Sequence, residues 1–217
     1  MSSAFLSRKS LVHNGLTQED CLYSHMQNSS DYIQVKSLWF KPYIPQAKIV
    51  EAVKRIAHQL DQDHGAEPPI CLIVLNGAFM FGSDLIKAMK IDCEVYFVKL
   101  SSYSGTESTG IVKEDYPLDV DITGRNVILI EDIIDTGNTM HYYLPRILDK
   151  GAKSVALVTL LLKEEALKHP LKIDHVGFKI PNDFVLGYGL DYDQLGRQLN
   201  DIYILVSEED THSGEGQ

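Results

Sequence analysis

The segment Val127-Ile128-Leu129-Ile130-Glu131-Asp132-Ile133-Ile134-Asp135-Thr136-Gly137-Asn138-Thr139 constrains this chain more than any other. An apolar run meets two adjacent acids, a third acid follows three residues later, and a Thr-Gly-x-Thr turn closes the stretch. The run, Val127 to Glu131, predicts a buried strand, and the residues after Gly137 predict a helix. In an open α/β sheet, carboxylates and a small-residue loop at the carboxyl end of a strand make a ligand site. The loop offers backbone N–H groups, two hydroxyls and a helix N-terminus, which suit a phosphate. Glu131 and Asp132 suit sugar hydroxyls or a hard metal ion. A phosphorylated sugar is the ligand that uses all of these groups.

The remaining elements predict the sheet such a strand requires. Pro45 opens a helix running to about Asp61, with Ile49, Val50, Val53, Ile56, Ala57 and Leu60 on one face. Ile70 to Leu75 predicts a strand, Asn76-Gly77 a turn, and Ala78 to Met89 a helix. Val95 to Leu100 predicts another strand. Ser101 to Tyr116 is too long for an ordinary connection and predicts a functional flap or a long hairpin. The helix after Gly137 should reach about Lys150 and stop at Gly151, with a kink or early break at Pro145. Ser154 to Leu162 is the next strand, and short strands and turns fill Ile173 to Val206. Alternating strands and helices indicate a parallel, doubly wound α/β sheet of about five strands. Residues 1–34 are polar and aperiodic and predict an extension, partly disordered or packed on the core. Residues 35–217 form the domain: a core at about 40–163, a small hood from the C-terminal region at about 164–206, to which N-terminal residues could also contribute, and a polar tail at 207–217.

The 217 residues carry a formal net charge of −10, which argues against nucleic acid or an anionic membrane as the main partner. The three cysteines, Cys21, Cys71 and Cys93, form no C-x-x-C pair, which favours a reducing, cytoplasmic setting over disulfides or structural zinc. No apolar run is long enough for a membrane span, and the N-terminus has no apolar signal core.

Five ordered segments, spanning about Phe40 to Val206, carry a resemblance. The acidic strand end and its loop resemble the phosphoribosyl pyrophosphate motif of type I phosphoribosyltransferases. Leu75-Asn76-Gly77-Ala78-Phe79 is similar to the pyrophosphate loop of the hypoxanthine-guanine branch of that family. Ser101-Ser102-Tyr103, with Ser104-Gly105-Thr106 following, is similar to its catalytic flap, and Leu161-Leu162-Lys163 to its base-recognising lysine. Val176 to Pro181, Phe184 to Tyr192 and Arg197 are similar to its purine hood.

The resemblance implies transfer of ribose 5-phosphate from phosphoribosyl pyrophosphate to N9 of a 6-oxopurine, with release of pyrophosphate, Mg2+ as cofactor, and a homodimer or homotetramer. It also implies roles. Glu131 and Asp132 would hold the ribose hydroxyls, directly or through magnesium. Asp135 would be the general base or proton-relay carboxylate beside N7, although an Asp before a helix is also a favourable cap. Asp135, Thr136, Gly137, Asn138 and Thr139 would bind the 5-phosphate. Asn76, Gly77 and Arg197 would take the pyrophosphate, and Asp191 the magnesium on that side, next to the purine. Ser102 and Tyr103 would close over the site and exclude water. Lys163 would donate to purine O6, Phe184 would stack on the ring, the Val185 backbone would meet its edge, and Ile133 would pack on the opposite face.

Two positions depart from the pattern, and the segment after Lys163, Glu164-Glu165-Ala166-Leu167, lacks an Arg found near there in some relatives. Many relatives carry a basic residue where this chain has Asn76 and Asn138. None of the eight histidines falls in a matched segment, so the resemblance gives them no role. Two other readings use the same motif: a non-catalytic nucleotide-binding regulator acting through RNA, which the acidic composition disfavours, and a xanthine-preferring enzyme. Ranking of hypoxanthine, guanine and xanthine depends on backbone carbonyls that the sequence does not orient.

Overall fold

The computed structural model describes residues 32–65, 67–102, 112–116 and 118–206, without side chains for 101, 102, 112, 113 and 116. The flap residue Tyr103 and the Ser102 side chain therefore lie outside the described residues, as do most of the extension and the polar tail.

The strands are β1 (Ile33–Val35), β2 (Leu38–Ile44), β3 (Ile70–Leu75), β4 (Glu94–Ser102), β5 (Val112–Tyr116), β6 (Asn126–Ile134), β7 (Ser154–Leu162), β8 (His175–Lys179), β9 (Val185–Leu186) and β10 (Ile202–Leu205). The helices are α1 (Gln46–His64), α2 (Phe79–Ala88) and α3 (Asn138–Asp149). A six-stranded sheet runs β5-β4-β3-β6-β7-β8. Its five strands β4, β3, β6, β7 and β8 are parallel, and β5 returns antiparallel on β4. The segment from Ser101 to Tyr116 thus begins and ends as the two arms of a hairpin.

Both faces of this sheet are covered, as uninterrupted apolar strands require. Cys71 and Ile73 of β3, with Ile128 and Ile130 of β6, pack against Ile49, Val53 and Ile56 of α1 and Phe81 and Leu85 of α2. The alternate residues Leu72, Val74, Val127 and Leu129 pack against Met140, Tyr143 and Ile147 of α3. This two-sided covering places the carboxyl ends of β3, β6 and β7 along one rim.

Four expectations need correction. On α1, Val50 is 40% exposed and Ala52 takes its place in the core, because 3.6-residue spacing carries position 50 off the face of Ile49, Val53 and Ile56. Strand β6 does not stop at the acids but continues to Ile134, since Ile133 and Ile134 find Leu161 and Leu162 across the ladder. Helix α3 runs through Pro145, so of the two alternatives there the early break does not occur. Pro145 is exposed, so the hydrogen bond that it cannot donate is lost on the solvent side. The hood does not include β8, which belongs to the large sheet; it is an antiparallel sheet, β1-β2-β10-β9, in which residues 33–44 supply the N-terminal contribution. Phe40 is fully buried among Ile33, Val35, Leu186 and Leu199, which ties the N-terminal strands to the C-terminal ones.

Candidate active site

Three chain segments meet at Gly77. A Cβ on Gly77 would lie 1.7 Å from Asp132 Oδ2, and one on Gly189 would lie 2.1 Å from the Gly77 carbonyl oxygen. Glycine at both positions is what allows the loop after β3, the acidic end of β6 and the hood to approach so closely. Gly189 also has φ +100°, a backbone region that side chains disfavour.

Beside this junction lies a cleft of about 260 Å³, lined by Asp132, Ile133, Asp135, Lys163, Phe184, Val185, Leu190 and Asp191. One wall comes from β6 and the loop after it, one from the end of β7 and one from the hood. Lys163 follows the last residue of β7 and is only 8% exposed, yet it does not lie unpaired: its Nζ donates to Asp135 Oδ2 at 2.8 Å. Its backbone N–H donates to the Ile134 carbonyl at 2.9 Å, which fixes where the side chain starts. Asp135 is thus committed to Lys163 rather than to capping, and α3 begins at Gly137 with no side-chain cap. Phe184 is 41% exposed, an uncommon position for a large aromatic that two neighbours hold in place. Its ring centroid is 6.1 Å from that of Phe40 and 5.9 Å from that of Tyr192, the latter edge-on at 83°. Phe184 lines the cleft, and so does Val185, which is buried.

The acids of β6 separate by the pleat, since successive residues point to opposite faces. Asp132 lines the cleft; Glu131 does not, and its Oε2 is buried with no hydrogen-bond partner among the described residues. Burial pushes the Glu131 carboxyl well above the ordinary carboxylate range, and the Asp132 charge adds to this. Burial also pushes Asp132 up, to about 6, while nearby Arg197 pulls it down and Asp191 raises it. Arg197 is the bridge between these groups: its Nη2 donates to Asp191 Oδ1 at 2.6 Å and its Nη1 to the Gly189 carbonyl at 2.7 Å. Carboxylates this short of compensating charge fit a hard divalent cation. Among the described residues no three His, Cys, Asp or Glu side chains converge as a metal cage. Magnesium commonly takes only one or two carboxylates and fills its shell with water and substrate phosphates.

The loop from Asp135 to Thr139 is held open from below. Gly137 has φ +74°, and a Cβ there would lie 2.6 Å from Leu171 Cδ1 and 3.0 Å from Leu167 Cδ2. Lys168 N–H donates to the Thr136 carbonyl at 3.0 Å, and Thr136 Oγ1 accepts from Asn138 N–H at 3.4 Å. Asn138 and Thr139 lie in the first turn of α3, where backbone N–H groups have no intrahelical acceptor.

The structure therefore brings together Asp132, Ile133, Asp135, Lys163, Phe184, Val185 and Asp191, with Gly77 and Arg197 beside them. Asn76 is exposed at the tip of the loop after β3, joined to Leu75 by a cis peptide. Sequence reasoning missed His169, whose Nε2 lies 3.0 Å from Asn138 Oδ1. The signal available was its place six residues beyond Lys163, but a loop contact across 31 positions has no periodicity to announce it.

Comparison with known proteins shows the family. The family model described as a phosphoribosyl transferase domain matches residues 43–193. The hypoxanthine-guanine phosphoribosyltransferase of Streptococcus thermophilus (strain CNRZ 1066) is 40% identical over 164 residues, 75% of this chain and 91% of that one. The bifunctional protein TilS/HprT of Listeria innocua is 40% identical over 169 residues, 77% of this chain; the chain spans about a quarter (26%) of that longer protein. Among solved structures, a Bacillus anthracis hypoxanthine-guanine phosphoribosyltransferase with HEPES in its active site is similar at a TM-score of 0.74 and 40% identity. The match covers 76% of this chain and 98% of that one.

Proposed function

The chain belongs to the phosphoribosyl transferase family, in its hypoxanthine-guanine branch, and from that premise we propose that it is a purine-salvage enzyme. It transfers ribose 5-phosphate from phosphoribosyl pyrophosphate to N9 of hypoxanthine and guanine, giving IMP and GMP with pyrophosphate. The observation that carries this reading is the single cleft in which Lys163, Phe184 and Val185 face Asp132 and Asp135. It offers an aromatic ring to stack on a base, a buried cation to meet a base oxygen, and acids for a sugar and a proton.

The base enters between Phe184 and Ile133, with Lys163 Nζ donating to O6 and the Val185 backbone at the purine edge. The Asp135 carboxylate then takes or relays the proton that the purine loses as the bond to N9 forms. The 5-phosphate sits on the N–H groups and hydroxyls from Thr136 to Thr139, where the N-terminus of α3 favours negative charge. Asp132 accepts hydrogen bonds from the ribose hydroxyls, whereas Glu131, buried away from the cleft, does not reach them in this arrangement. The transition state of glycosyl transfer carries positive charge on the sugar, which the Asp132 carboxylate stabilises. Gly77 and Arg197 face the departing pyrophosphate. Asp132 and Asp191 are the residues that would hold magnesium, whose charge would offset that of the pyrophosphate. Ser102 and Tyr103 close the site and exclude water from the activated sugar.

Among the described residues no helix is long and apolar enough to cross a membrane. Cys71 and Cys93 are both free, which suits a reducing compartment such as the cytoplasm. Val95 and Phe97, 39% and 48% exposed on one face of β4, suit the homodimer or homotetramer expected of the family.

An absorbance assay with magnesium, phosphoribosyl pyrophosphate and hypoxanthine, guanine, xanthine or adenine in turn tests the reading. Turnover of the 6-oxopurines without adenine is the expected result. Binding of IMP with no turnover of any base would overturn it in favour of a nucleotide-binding regulator.

A further inference from the structure

The segment after Lys163 is strapped across the underside of the Asp135–Thr139 loop by three separate contacts. Leu167 and Leu171 occupy the space that a side chain at Gly137 would need. Lys168 N–H holds the Thr136 carbonyl at 3.0 Å, which turns that peptide's oxygen toward the strap. His169 Nε2 lies 3.0 Å from Asn138 Oδ1. The imidazole of His169 is itself fixed, because it stacks on that of His141 with centroids 4.0 Å apart and planes inclined by 8°. Tyr142 meets the His169 ring edge-on at 6.2 Å. A partly buried loop residue is thus oriented by both a ring stack from α3 and a hydrogen bond.

Asn138 Oδ1 is an acceptor, so the His169 atom that meets it is an Nε2–H donor, a role filled equally by the neutral Nε2–H tautomer and by the cation. With its oxygen taken by His169, Asn138 can present only donors, its NH2 group, to anything bound over the first turn of α3. An Asn free to rotate would offer an acceptor oxygen as readily as a donor, and an acceptor repels phosphate oxygens. Position 138 is where the sequence departs from the basic residue of many relatives, so a donor of fixed orientation there compensates for the missing charge.

Building on the reading of Thr136 to Thr139 as the 5-phosphate site, we propose that His169 is a positioning residue for phosphoribosyl pyrophosphate. By holding Asn138 Oδ1 it directs the Asn138 amide N–H groups at the 5-phosphate.

The test uses steady-state kinetics of the full chain with two substitutions that divide the contacts of His169. His169→Phe keeps a ring against His141 but has no N–H, whereas His169→Gln keeps a donor and loses the ring. His169→Phe should raise KM for phosphoribosyl pyrophosphate by about three- to tenfold, the worth of one hydrogen bond, and leave KM for the base unchanged. His169→Gln should stay within about twofold of the parent, because its donor is retained. Adding His169→Phe to Asn138→Ala should cost less than about twofold beyond Asn138→Ala alone, since a residue acting through Asn138 loses its effect with it. Full additivity, a parallel rise in both KM values, or a harmless His169→Phe beside a damaging Asn138→Ala would each overturn the proposal. If Asn138→Ala itself left KM for phosphoribosyl pyrophosphate unchanged, the 5-phosphate reading of the loop would fall, and the role of His169 with it. Should His169→Phe fail to fold, His169→Gln decides alone: a rise of fivefold or more despite the retained donor would overturn the proposal.

Discussion

Lys163 Nζ donates to Asp135 Oδ2 at 2.8 Å, across 28 positions of sequence, so the cation expected to recognise the base and the acid expected to handle its proton are partnered before any base is bound. The pair is asymmetric in environment. The Lys163 side chain is 9% exposed and that of Asp135 46%, so the lysine depends on its partner more than the reverse. In the proposed reaction, a base that draws Lys163 toward O6 would release the carboxylate for N7.

Asp135→Asn keeps an acceptor for Lys163 but cannot take a proton. Turnover should fall by about a hundredfold or more, the usual worth of general acid–base catalysis, with a much smaller change in IMP affinity. Equal losses in turnover and affinity, from kinetics and calorimetry on one preparation, would contradict a proton-transfer role.

Lys163→Ala should raise KM for hypoxanthine more than KM for phosphoribosyl pyrophosphate. Loss of one charge-assisted hydrogen bond corresponds to about 1.5–3 kcal/mol. The reverse ordering of the two KM changes would remove O6 from its assignment.

Asp132 gives a prediction for stability. Its carboxyl is pushed up to about 6 by burial, so the native state holds the proton more tightly than the unfolded chain does. Stability from this group is therefore complete below the unfolded value and falls as pH rises through the window ending at about 6; above that it stays low. Asp132→Asn should raise stability at pH 7.5 in the presence of chelator by an amount on the order of 1–3 kcal/mol, read as a higher Tm. It should also flatten the decline from pH 4.5 to 6.5 while lowering turnover. A lower Tm than the parent at pH 7.5 would show that ionised Asp132 stabilises the fold.

Gly77→Ala should cripple activity with little effect on unfolding. The added methyl would require Asp132 Oδ2, 1.7 Å from its position, to leave the cleft, whereas Gly77 itself is only partly buried. Turnover retained at half the parent's or more would mean that the three segments do not need their close approach.

Phe184→Ala should weaken base binding by about 1 kcal/mol or more, the worth of a stacked ring, and change thermal stability little because the side chain is already 41% exposed. A large drop in Tm with an unchanged KM for the base would assign Phe184 to packing with Phe40 and Tyr192 instead.

Local pattern made much of this architecture legible. Strand β7 falls on the predicted Ser154 to Leu162, because a run of apolar residues between Gly151 and a lysine has few other solutions. The acids of β6 and the Thr-Gly-x-Thr loop were legible as a site for the same reason: their spacing is local. The limits were equally physical. Strand β6 runs past Glu131 because ladder partners on β7, not its own residues, decide its end. The hood recruits β1 and β2 from the other end of the chain, since Phe40 finds its apolar neighbours there.

The covered parallel sheet and the rim on which the acids lie follow from period, hydrophobicity and residue type over short windows of the chain. Packing of distant segments set the rest: Asp132 faces the cleft while Glu131 is buried away from it, Asp135 answers Lys163, and His169 meets Asn138. Each of those depends on side chains from distant segments sharing one small volume, where orientation and desolvation set their roles and no local pattern records the encounter.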